Sequence, residues 1–132
     1  MSITLREIRN YVKTYMYDKS PGTYMILDLH SKKKLGLDLS NALFRMPNRL
    51  FNLIKSVYND EITANFIFKS MLVKPIAIKL GKIGYEEEVE KALLSGCESF
   101  IDYLKQNGVD SSLDRSICMP ATQNSNAISS LP

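Results

Sequence analysis

Thr23-Tyr24-Met25-Ile26-Leu27-Asp28-Leu29, followed by Ser31-Lys32-Lys33-Lys34 and then Leu35-Gly36-Leu37-Asp38-Leu39-Ser40, is the stretch on which the fold class turns. Its first part is β-branched, aromatic and aliphatic, and in its last part Leu35, Leu37 and Leu39 alternate with Gly36, Asp38 and Ser40. Alternation with period two is what a half-buried strand requires, so two strands flanking the turn at 31–34 are expected, paired as an antiparallel hairpin.

Upstream, Thr4 and Glu7 form a capping box, and Leu5, Ile8, Val12 and Tyr15 or Met16 follow at helical spacing, which predicts a first helix over 5–17. Ser20-Pro21-Gly22 ends it in a turn. Downstream, Pro47 suits the first turn of a second helix carrying Leu50, Phe51, Ile54, Val57 and Tyr58, whereas 41–46 has no decisive pattern. Ile62, Ala64, Phe66 and Phe68 alternate, as do Ile76, Ile78 and Leu80, with Pro75 at a strand start or edge, so a second hairpin is expected. Val89, Leu93, Cys97, Phe100, Ile101 and Leu104 mark one long helix over 85–107, stopped by Gly108. Asn10-Tyr11-Val12-Lys13-Thr14-Tyr15 also lines up with Asn52-Leu53-Ile54-Lys55-Ser56-Val57, and Leu35, Leu37 and Leu39 line up with Ile76, Ile78 and Leu80, as a duplicated unit would. The expected fold is α+β in the order α-ββ-α-ββ-α, with one four-stranded antiparallel sheet and helices packed on it.

The chain has 132 residues, 45% hydrophobic and 23% charged, which suits one soluble domain with one core. That domain is expected over 1–110. The Ser-, Asn-, Thr- and Pro-rich residues 111–132 are expected to form a disordered polar tail. No secretory signal is visible at the N-terminus and no run of apolar residues is long enough to cross a membrane, so an intracellular, cytoplasmic or nuclear location is expected. Cys97 and Cys118 form no C-x-x-C pair; a disulfide framework or zinc site is not indicated, and Cys97 reads as a buried thiol on an apolar helix face.

Catalytic chemistry finds no foothold. His30 is the only histidine and lacks a suitably placed Ser or Cys, and its strand neighbour Asp28 reads as part of a solvated hairpin end. Gly81 and Gly84 build no phosphate loop, and the Glu86-Glu87-Glu88 run suits a helix N-terminus better than a metal site. No cofactor, metal or enzymatic activity is therefore expected.

Charge is unevenly spread. Residues 1–83 hold 14 Lys and Arg against 6 Asp and Glu, a balance of +8, whereas 84–132 hold 3 against 8, a balance of −5, within a total of +3. Arg6, Arg9 and Lys13 form a stripe on the first helix, Lys32, Lys33 and Lys34 sit at the first turn, and Arg45, Arg49 and Lys55 follow on the second helix. Such clusters suit nucleic acid or another polyanion, as in a small viral or plasmid-borne accessory factor. Glu86, Glu87 and Glu90, with Gly96, Phe100, Ile101 and Leu104, are the expected self-association or partner surface of the last helix, which would make a homo-oligomer. The other expectation is a protein-binding adaptor or structural oligomer, including a matrix-like protein attached peripherally to an anionic membrane through the first helix and the lysine turn.

Overall fold

In the computed structural model, which describes residues 3–110 and 118, about 81% of the residues are helical and no sheet is present among them. The expected α+β class with its four-stranded sheet is overturned. The order is α1 (Leu5–Lys19), α2 (Pro21–Leu35), α3 (Leu39–Arg45), α4 (Pro47–Tyr58), α5 (Glu61–Ile67), a π-helical turn (Phe68–Val73), α6 (Lys74–Leu80), α7 (Glu86–Leu94) and α8 (Cys97–Gln106).

The helix ends follow local chemistry. Thr4 and Glu7 cap α1 reciprocally, and Pro47 opens α4, as the sequence predicts. The first expected hairpin is instead α2. Pro21 stands in its first turn, where the missing N–H costs nothing, and Gly36 ends it with φ 75°, a left-handed conformation that suits glycine. Tyr24, Leu27 and Ser31 are buried at helical spacing. The alternation of Leu35, Leu37 and Leu39 is therefore the junction between two helices, with Ser31 Oγ donating to the Leu37 carbonyl at 2.7 Å. Asp38 caps α3 through the Asn41 N–H, and Asp28 reaches from α2 to accept the Leu39 N–H at 2.9 Å.

The second expected hairpin is also helix: α5, the π turn and α6 run on continuously from Glu61 to Leu80. The residues that suggest alternation there include Ile62 and Phe66, which are 80% and 64% exposed, whereas Ala64, Ile67, Phe68, Leu72, Val73, Ile76 and Ala77 face the core with the periodicity of a helix. Pro75 lies inside this helix, not at a strand start. The π turn precedes it directly, and the Lys74 N–H donates to the carbonyl of Lys69, five residues back. The expected duplication fails with the hairpins, since Ile76–Leu80 is helical and Leu35–Leu39 is a helix junction.

The expected single last helix is broken at Ser95-Gly96: Gly96, with φ 119°, precedes α8 as its N-cap. The core gathers side chains from all these elements around Phe44, Phe68 and Phe100. Its two ends are joined where the Asp110 N–H donates to the Ile3 carbonyl at 2.8 Å, beside the Ile3 and Val109 bridge. Cys97 is not a free thiol but is disulfide-bonded to Cys118, across a sequence separation of 21, with the Cα atoms 5.7 Å apart. Apart from Cys118, the expected tail at 111–132 lies outside the described residues.

Two outcomes follow from these contacts. Asp28→Ala removes both the bond to α3 and the ion pair to Lys32, and should lower unfolding stability by about 1–2 kcal/mol in denaturant titration, with an unchanged helical spectrum. Thiol titration of the unfolded, unreduced chain should find no free thiol, and two after reduction; free thiols before reduction would contradict the cross-link.

Candidate functional site

The nine cations singled out in the sequence are distributed over four helices. Arg6, Arg9 and Lys13 share one side of α1, with Lys13 at the edge of a shallow open cleft that it lines with Asn10, Thr14, Tyr17 and Asp18. Lys32, Lys33 and Lys34 form the last turn of α2, where the negative end of the helix dipole favours cations. Lys32 is held at 3.0 Å by Asp28, whose hydrogen bond and charge raise the pKa of its ammonium. Arg45 ends α3 and Arg49 lies in the first turn of α4, while Lys55 pairs with Glu61 at 3.5 Å and lies over the Phe51 ring at 5.8 Å.

A different constellation is assembled where α1 meets α6. Tyr11, Tyr15 and Lys19 stand at successive steps of four along α1 and so share one side of it. The two rings are half-exposed, with centroids 6.2 Å apart and planes inclined at 41°. Lys19 lies over Tyr15 at 5.5 Å, and Lys79 of α6 lies over Tyr11 at 5.4 Å. The result is a row of ammonium, ring, ring, ammonium along one face. Each ring offers its electron-rich surface to a cation. Sequence reading passed over this row: Tyr11, Tyr15 and Lys19 were legible from their spacing, but Lys79 is 60 positions beyond Lys19 and only tertiary packing brings it in.

The expected acidic surface is occupied from within. Glu87 and Glu90 of α7 meet Lys69 of the π turn at 3.5 and 3.8 Å, and Glu88 meets Lys82 at 3.3 Å. Glu86 accepts the Gly84 N–H at 3.1 Å, which lowers its pKa. Phe100, Ile101 and Leu104 are wholly buried, with Phe100 packed on Phe44 at 5.9 Å, and Gly96 caps a helix. Three of the seven residues of the sequence-predicted partner surface are thus core, because the apolar stripe of α8 turns inward.

Asp28 and His30 do not share a face as strand residues would; two positions on a helix differ by about 200°, and Asp28 is committed to Leu39 and Lys32. Among the described residues no group of three metal-ligating side chains occurs. No helix of the described residues is long and apolar enough to cross a membrane. Compared with protein-family models, with curated proteins and with solved structures, the chain matches none.

One polar contact ties α7 to α8 and titrates. Tyr103 Oη donates to Glu88 at 2.7 Å; this bond first, and Lys82 second, hold Glu88 below the ordinary carboxylate range. Tyr103 is pushed upward by burial and then by its bond to Glu88. A depressed carboxylate contributes stability above its unfolded pKa and loses it as pH falls through the folded value; a raised phenol contributes below about 10 and loses it as pH rises through its folded value. Tyr103→Phe should therefore be less stable than the parent at neutral pH, and the difference should shrink on acidification; a difference unchanged in acid would refute this linkage.

Proposed function

We propose that this chain is a non-enzymatic binding protein that holds single-stranded nucleic acid on the α1/α6 face. The observation that carries this reading is the row Lys79, Tyr11, Tyr15, Lys19, with both rings half-exposed and an ammonium over each. Unpaired bases stack on aromatic rings irrespective of sequence, and the flanking phosphates are neutralised by lysine. The surplus of +8 over residues 1–83 adds a long-range field that concentrates a polyanion near this half of the molecule. A duplex hides its base faces and so gains only the charge contribution. Single strands are accordingly the favoured ligand.

The test is binding of a labelled oligothymidylate across a salt series, with a duplex of equal length and anionic vesicles as competitors. Tyr15→Leu should weaken single-strand binding by roughly 5- to 150-fold, equivalent to about 1–3 kcal/mol per stacked base. Lys79→Gln and Lys19→Gln should each flatten the logarithmic salt dependence by about 0.7. Absence of binding at low salt, retention in Tyr15→Leu, or a preference for duplex or vesicles would sink the proposal.

A further inference from the structure

The outer face of α2 is apolar, although one side of that helix is already built into the core. Tyr24, Leu27 and Ser31 face inward against α1, α3 and α4. On the opposite side Gly22, Ile26, Leu29 and Lys33 follow one another at steps of three and four, with Met25 beside them. Met25, Ile26 and Leu29 are 61%, 48% and 53% exposed. A helix that is apolar on opposite sides has the pattern of one buried all round, and the monomer covers only half of it. Apart from its chain neighbours and its own helix backbone, nothing lies within 4 Å of where a Cβ would stand on Gly22, so another helix can approach the ridge closely there.

From this ridge and the charges at its ends we infer that a second copy of this chain docks on α2, the two α2 helices crossing antiparallel about a two-fold axis. Lys33 lies at the C-terminal end of the ridge. Asp18 lies at the other end, in the last turn of α1, which Ser20 alone joins to α2. Neither Asp18 nor Lys33 has an ion-pair partner among the described residues. Asp18 is placed where the dipole of α1 disfavours a carboxylate, so its own helix gives it no role.

An antiparallel pair sets the Lys33 end of each copy against the Asp18 end of the other, twice, as an isologous interface requires. A parallel pair would instead bring two Lys32–Lys34 clusters together. An anionic lipid surface would leave Asp18 unpaired, whereas a second copy sets it against Lys33, so the charge layout at the ends of the ridge favours a second copy over a membrane. A ridge whose exposed apolar residues are Met25, Ile26 and Leu29 is small beside the roughly 20 residues a side of a standard interface, so association is concentration-dependent rather than permanent.

Sedimentation velocity of the full chain, run from about 1 μM to about 1 mM, tests this. The expected result is a shift from monomer to dimer with rising concentration, moved at least tenfold upward by Ile26→Asp and, as an independent check, by Leu29→Asp. Both positions are exposed, so melting temperatures like the parent's confirm that the variants fold. Asp18→Lys should weaken the dimer, and adding Lys33→Asp should restore it. A monomer throughout the range, dimerisation of Ile26→Asp like the parent, or a double charge reversal without recovery would overturn the inference. So would vesicle binding that Asp18→Lys strengthens while no dimer forms.

Discussion

A proline in the middle of a buried helix is the constraint around which this molecule is arranged. Pro75 has no N–H to donate, and in an unbroken α-helix its ring would strike the carbonyl of Met71, four residues back. The helix from Glu61 to Leu80 nevertheless supplies much of the core, where unpaired backbone groups are expensive. The π turn at Phe68–Val73 resolves the conflict by widening the helix immediately before the proline, with Lys74 bonded to Lys69 in place of the usual i−4 partner. One extra residue in the turn also shifts the phase of everything after it. The first half of the helix therefore packs on α4, whereas the second half packs on α1 and α7. One helix can serve three neighbours because its side chains are re-aimed partway along.

That same device hid the fold from a reading of the sequence. Elements with local signatures were legible: the Thr4 and Glu7 box, Pro47 at a helix start, and Gly108 beyond a helix end. Those misread were rich in β-branched and aliphatic residues, and period two was found in them by counting residues that the fold leaves outside. Ile62 and Phe66 belong to the apparent alternation but not to the core. In α2 the apolar residues surround the helix, so no single face stood out, and the boundary signals at Pro21 and Gly36 were outweighed by composition. At the candidate site, half of the row was written in the spacing of α1, and the rest depended on α6 being a helix at all.

The charge split of the sequence is spent in part on local tasks. Lys32, Lys33 and Lys34 occupy a helix C-terminus and Glu86, Glu87 and Glu88 a helix N-terminus, each where the macrodipole favours that sign. Lys69 and Lys82 then tie the acidic helix back to the preceding one. Beyond these ties two pairs of charges remain for the functional readings: Lys19 and Lys79 lie over tyrosine rings, and Asp18 and Lys33 have no ion-pair partners among the described residues. Functional inference rests on that remainder, to which the +8 surplus of residues 1–83 adds only a long-range field.

The two faces carried by this remainder are compatible because of where they sit on α1. Tyr17 packs on Tyr24 of α2 with ring centroids 5.9 Å apart, whereas Tyr15 belongs to the row shared with α6. Two residues along a helix rotate by about 200°, so α2 and the tyrosine-lysine row lie on opposite sides of α1. The inferred pairing through α2 would therefore leave both rows uncovered, one on each copy. In the proposed binding mode a single strand long enough to reach from one row to the other would meet the second at a high effective concentration, while a shorter one would engage a single row. If both proposals hold, association between copies and binding at each row reinforce one another without any new contact, because each added copy on the strand raises the local concentration of the α2 face.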